Sequence, residues 1–189
     1  TLFRLLVKEP TFIKRIVKEM SDYACTLAEN VLSRNPNVQF IYMSENINKK
    51  NRALISPRMY NKYFHAGVKK FSRIAHSYGA KIIRHSCGYF EDFIPLWLEE
   101  GIDAIHPWQS TAGMDIFKAK EKWGKELTLI GNMPIELLRS GTHKEIINYT
   151  RKLIDVCGEG GGYIASSSHS LLRPCKWDNY MTFQWTLRK

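Results

Sequence analysis

The sequence predicts an α/β fold built on a parallel sheet, and three observations predict it. Five apolar runs of strand length alternate with amphipathic stretches of helix length, the pattern of repeated βαβ units. Each run gives way to polar residues at its carboxyl end, where parallel α/β folds gather their reactive groups. Glycines 79, 101, 124 and 158 stand where the helical stretches should stop.

In chain order, the Lys and Arg residues of "FIKRIVKEM" fall at helical spacing and open a helix expected over 11–34. "VQFIYMS" (38–44) reads as the first strand. Ser56-Pro57 resembles an N-cap followed by proline at the first helical position, opening a helix over 57–78. "AKIIRH" (80–85) follows as a strand, then a helix over 90–100, "DAIHP" (103–107), and a helix over 113–123. "LTLIGN" (127–132) leads into a helical pattern over 135–157, in which Thr142 and Glu145 fit a capping box that would start a helix near 143. "GYIASSS" (162–168) is the fifth strand. A doubly wound sheet and a (β/α) barrel both satisfy this order. A complete barrel usually needs about 250 residues, so 189 residues would be only the later part of one.

Composition narrows the function classes. With 44% hydrophobic and 24% charged residues, the chain has the profile of a soluble globular protein, and its length suits one domain over 1–189. No run approaches the roughly 18 apolar residues of a membrane span. The N-terminus lacks an initiator Met and any signal-like stretch, and reads as the middle of a longer fold. Cys25, Cys87, Cys157 and Cys175 lie far apart without a CxxC pair, which points to a reduced, cytoplasmic setting. The net charge of +10 is uneven: residues 1–75 carry 14 Lys/Arg against 5 Asp/Glu, or +9. Those cations fall on helix faces and no nucleic-acid motif accompanies them, so no nucleic-acid partner is expected.

The chemistry concentrates in "RHSCGYF" (84–90). Side chains alternate along a strand, so His85 and Cys87 point the same way, and imidazole with thiolate is a zinc-binding pair. The other reading makes Cys87 a small buried hydrophobe and His85 a hydrogen-bonded core residue. The remaining strand ends deliver Ser44/Glu45, His106/Gln109, Asn132 and Ser168/His169. His65, His76 and His143 read as surface residues, and Trp97, Trp108, Trp123, Trp177 and Trp185 as packing.

The series "HSCGYFEDFIPLWLEEGIDAIHPWQ", "LTLIGNMPIELLRSGTHKEI" and "GGYIASSSHSLLRP" resembles the uroporphyrinogen decarboxylase superfamily, which includes zinc-dependent methyltransferases working with corrinoid methyl carriers. The likeness is strongest over residues 80–180. It implies the C-terminal portion of a (β/α)8 TIM-type barrel, about five parallel strands with helices outside, without the N-terminal part. The methyltransferase branch resembles this chain in His-x-Cys at the end of a middle strand. A further ligand of that branch, a Cys, lies near the last strand at the position held here by His169. The decarboxylase branch also places a histidine there but generally lacks the His-x-Cys pair, so this chain mixes the two patterns.

The methyltransferase branch implies zinc on His85, Cys87 and His169, with Cys175 as an alternative ligand, and methyl transfer involving a thiol or a corrinoid, free or held by a corrinoid protein. His169 and Glu45 are its implied catalytic residues, and His106, Gln109 and Asn132 its contacts to a small-molecule substrate. The alternative is a cofactor-free decarboxylase of porphyrin biosynthesis, in which His169 touches a substrate carboxylate. A third reading is a non-catalytic partial barrel. An incomplete barrel exposes sheet edges and some of Ile41, Ile83, Ile105, Leu129 and Ile164, so a homo-oligomer or an N-terminal covering segment is expected.

Overall fold

The computed structural model describes residues 2–188. Two N-terminal helices, α1 (Leu2–Lys8) and α2 (Pro10–Arg34), lead into strand β1 (Phe40–Glu45). A short antiparallel hairpin follows, β2 (Asn48–Lys49) with β3 (Arg52–Ala53). Helix α3 (Pro57–Tyr60) continues through a wider turn, Asn61–His65, into α4 (Ala66–Ser77). Then come β4 (Lys81–Ser86), α5 (Ile94–Glu99), β5 (Ala104–His106), α6 (Ile116–Trp123) and β6 (Thr128–Met133). The chain ends with α7 (Ile135–Ser140), α8 (His143–Lys152), β7 (Tyr163–Ser167) and α9 (Trp177–Thr186).

The large sheet is parallel throughout, in the order β1-β4-β5-β6-β7. Apart from the hairpin, spatial order equals chain order. A doubly wound sheet reverses direction at a switch point; a barrel winds one way. The sheet is therefore an arc of a (β/α) barrel, with β1 and β7 unpaired on their outer edges among the described residues.

Register sorts the side chains. Ile82 and Arg84 of β4, Ile105 of β5 and Leu129 of β6 share the face covered by helices, and all four are buried. There they meet Phe90, Phe93 and Trp97, whose rings stack with centroids 5.3 to 5.8 Å apart. Ile83, His85 and His106 face the other way, toward the concave side, with Tyr42 of β1 and Ile164 of β7. Of the apolar residues expected on the open face, Ile164 is exposed, whereas Ile105 and Leu129 lie under the helices.

Several local expectations need correction. The pattern over 135–157 is two helices, because Gly141 ends α7 and the Thr142–Glu145 capping box opens α8. Asn179 of α9 secures that break by donating to the carbonyls of Leu137, Leu138 and Gly141. Trp177 and Trp185 are exposed rather than packed. His65 is no surface residue: its Nδ1 lies 3.2 Å from the buried carboxylate of Glu100.

Candidate active site at the carboxyl ends of the strands

The strand ends bring five polar side chains into one cluster on the concave face. Parallel pairing sets Ser44 beside His85 and His85 beside His106, so Tyr42, two residues earlier in β1, leans along the same face. Its hydroxyl lies 2.6 Å from His85 Nδ1 and 3.0 Å from His106 Nδ1, and the two Nδ1 atoms are 2.8 Å apart. The far nitrogen of His85, Nε2, lies 3.2 Å from Cys87 Sγ. Cys87 Sγ in turn lies 3.9 Å from His169 Nε2, on the connection after β7.

The loop carrying Cys87 is held from both sides. Asn48 of the hairpin donates to Ser86 Oγ at 2.8 Å, and Tyr89 N donates to Lys49 O at 3.0 Å. On the other side Gly88 N donates to Gln109 Oε1 at 3.1 Å. Gly88 has φ +90°, and a Cβ there would stand 2.5 Å from Lys49 O. The glycine after the cysteine thus serves the close approach of the hairpin.

The electrostatics disfavour charge on His85, His106 and Cys87. Burial, with the neighbouring His169, lowers the pKa of His85. Burial, with His85 and His169, pushes His106 down to about 4. Burial pushes the Cys87 thiol up, and the Glu45 carboxylate adds to that rise. Neutral imidazoles are the form that ligates metals. The thiol stays protonated without a positive charge beside it.

The remaining candidates divide. Glu45 sits at the rim, its Oε2 accepting from Ile47 N at 2.7 Å while its buried Oε1 has no hydrogen-bond partner and lies 3.7 Å from Arg84. Gln109 is spent on the Cys87 loop and on Thr111, to which it donates at 3.0 Å. Asn132 is turned away from the cluster: its amide donates to Trp108 O and its oxygen accepts from Tyr149 of α8 at 2.6 Å. Cys175 is half-buried and lines a cavity of about 320 Å³ with Gln109, Arg139, His169 and Arg173. The sequence reading missed Tyr42, which only the β1–β4 register brings to the histidines.

The donor set bears on zinc. Tetrahedral zinc, with bonds of about 2.3 Å to sulfur and 2.0–2.1 Å to nitrogen, holds such donors about 3.5 Å apart. The separations of 3.2 and 3.9 Å from Cys87 Sγ to the two Nε2 atoms bracket that value. As the trio stands it is not closed: among the described residues no group of three His, Cys, Asp or Glu is placed to hold an ion. The donor chemistry and the two sulfur–nitrogen separations are of the kind a zinc site would need.

The profile of the uroporphyrinogen decarboxylase (URO-D) family matches residues 1–189. The chain belongs to the uroporphyrinogen decarboxylase family. No curated protein matches it. Among solved structures it is similar to a methyltransferase from Methanosarcina mazei, with a TM-score of 0.73 and 15% sequence identity. That likeness covers 97% of this chain and 51% of the methyltransferase, so the chain spans about half of that neighbour's length. At such identity the likeness shows the shared fold. No helix among the described residues is long and apolar enough to cross a membrane.

Proposed function

We propose that this chain carries the thiol-binding part of a zinc-dependent methyl-transfer site. His85, Cys87 and His169 would hold the ion, with a corrinoid, free or on a carrier protein, as one methyl partner. The observation that carries the reading is Cys87 Sγ between two imidazole nitrogens, at 3.2 and 3.9 Å. Zinc bound there would supply the positive charge that keeps a thiol ionised and nucleophilic. The protein's own part is positional. His85 and His169 present their Nε2 atoms toward Cys87, and the hairpin and Gln109 fix the Cys87 backbone. Glu45, whose carboxylate accepts from Ile47 N and lies 3.7 Å from Arg84, contributes a negative charge near Cys87 rather than a free base.

The competing decarboxylase reading needs no metal, so metal analysis separates the two. The purified chain should hold about one zinc per molecule, and Cys87→Ser should lose most of it. Full retention in Cys87→Ser, or no stoichiometric zinc in the parent chain, would return the site to metal-free chemistry.

A further inference from the structure

His85 faces two ways, and its second nitrogen is as closely engaged as its first. Neutral imidazole has one N–H and one lone pair, so only one nitrogen at a time can be a ligand. Tyr42 Oη lies 2.6 Å from His85 Nδ1 and 3.0 Å from His106 Nδ1. A phenol both donates and accepts, so it can link the two rings in one direction.

We infer that Tyr42 and His106 are positioning residues that fix His85 as its Nδ1–H tautomer. His85 Nδ1–H donates to the Tyr42 oxygen, and the Tyr42 hydroxyl donates to the Nδ1 lone pair of His106. His106 carries its own proton on Nε2. The Nε2 lone pair of His85 is thereby aimed at the Cys87 side, 3.2 Å away. In metal sites the partner of a ligand histidine's other nitrogen sets tautomer and ring orientation, and its loss typically weakens metal binding 10–100-fold. The role assigned to His106 is thus to terminate a hydrogen-bond chain rather than to contact substrate. As a statement about metal affinity, the inference rests on the zinc reading above.

Two measurements keep that dependence separable. The first needs no metal: nitrogen-15 NMR of the imidazole rings in the metal-free chain. His85 should show a protonated Nδ1 and an unprotonated Nε2. Because His106 Nδ1 also lies 2.8 Å from His85 Nδ1, the shift toward the other tautomer should be partial in Tyr42→Phe, which keeps the ring and removes the hydroxyl. It should be larger when His106→Phe is added. A protonated Nε2 in the parent chain overturns the inference whether or not Tyr42→Phe folds. The second is a titration with Co²⁺, followed by its thiolate charge-transfer band. Tyr42→Phe should bind roughly 10–100-fold more weakly while keeping the band at saturation. Affinity equal to or tighter than the parent's would sink the positioning role. No band in the parent chain, with the Nδ1–H tautomer present, would count against the zinc reading alone.

Discussion

Arg84 should be among the most costly residues to replace, although it lies beneath the sheet, away from the His85–Cys87–His169 cluster. It follows Ile83 and precedes His85 in β4, so it points into the helix layer, where its side chain is 2% exposed. Its guanidinium donates to Glu100 at 3.0 Å, lies 3.7 Å from Glu45 and stands over the Trp97 ring at 4.2 Å. Arg84→Met keeps the aliphatic contacts and strands the Glu100 carboxylate, which is fully buried. Removing one partner of a buried pair costs about 3–5 kcal/mol, and that is the expected loss at pH 8. The pH dependence carries the sharper test. Burial raises the Glu100 pKa from 4.5 to about 7, against the opposing pull of Arg84. Because the folded value lies above the unfolded one, proton uptake stabilises the native state as pH falls through about 7 toward 4.5. At pH 5.5 native Glu100 is already neutral, so Arg84 contributes only its ring contact and a hydrogen bond to a neutral acid. The penalty should then be about 1–2 kcal/mol smaller. Urea denaturation of both proteins at pH 8 and pH 5.5, with unchanged m-values, measures it. A penalty under about 1 kcal/mol at pH 8, or one equal at both pH values, would refute the claim that Arg84 holds a charged Glu100.

Thr142→Ala should cost about 1 kcal/mol in chemical denaturation, since Thr142 Oγ1 accepts from Glu145 N at 3.3 Å and alanine leaves that end of α8 uncapped. The isolated chain should self-associate at tens of micromolar: Phe12, Ile16, Met20, Tyr23, Leu27 and Val31 form a stripe along α2, each 38–66% exposed. Covering the exposed parts of these six on both copies of a dimer yields roughly 10–18 kcal/mol against an association cost of about 4–15 kcal/mol. Light scattering across a dilution series should show a monomer only for the Met20→Glu/Leu27→Glu double variant, and a monomeric parent chain would refute the estimate.

The sequence carried the five strands plainly, because each is an apolar run closed by polar residues and followed by a helical period. It also carried the Thr142–Glu145 capping box and with it the start of α8 at His143, though not the separate short helix α7 that Gly141 ends. The β2–β3 hairpin was not legible: two-residue strands have no periodicity to read. Helix α9 mixes exposed Trp177 and Trp185 with buried Asn179 and Phe183, so no clean apolar stripe announces it. Within the site, strand alternation put His85 and Cys87 on one side but left a metal pair and a packed pair both open, and only the family resemblance favoured the metal pair. Asn132 misled because alternation fails locally. Gly131, at φ +142°, brings the backbone against Trp108 and turns the next side chain toward Tyr149. Tyr42 was invisible for another reason. An exposed aromatic on an edge strand has meaning only once the β1–β4 register is known.

The site is unevenly prepared, and the unevenness follows from where each group is anchored. His85 ends a strand paired on both sides, and the residue before it is locked beneath the sheet by Glu100 and Trp97. Cys87 follows at once, on a loop tied to the hairpin by Ser86 and Tyr89 and to Gln109 by Gly88. These two donors cannot separate without breaking contacts on three elements. His169 has no such frame. It sits on the connection from Ser168 to Lys176, which contains neither helix nor strand, with its carbonyl accepting from Ser167 Oγ at 2.8 Å. A ligand that draws the three donors together therefore meets a fixed pair and adjusts the third. Substitutions that loosen the hairpin should damage the pair itself, whereas changes in the 168–176 connection should alter how readily the third donor joins it.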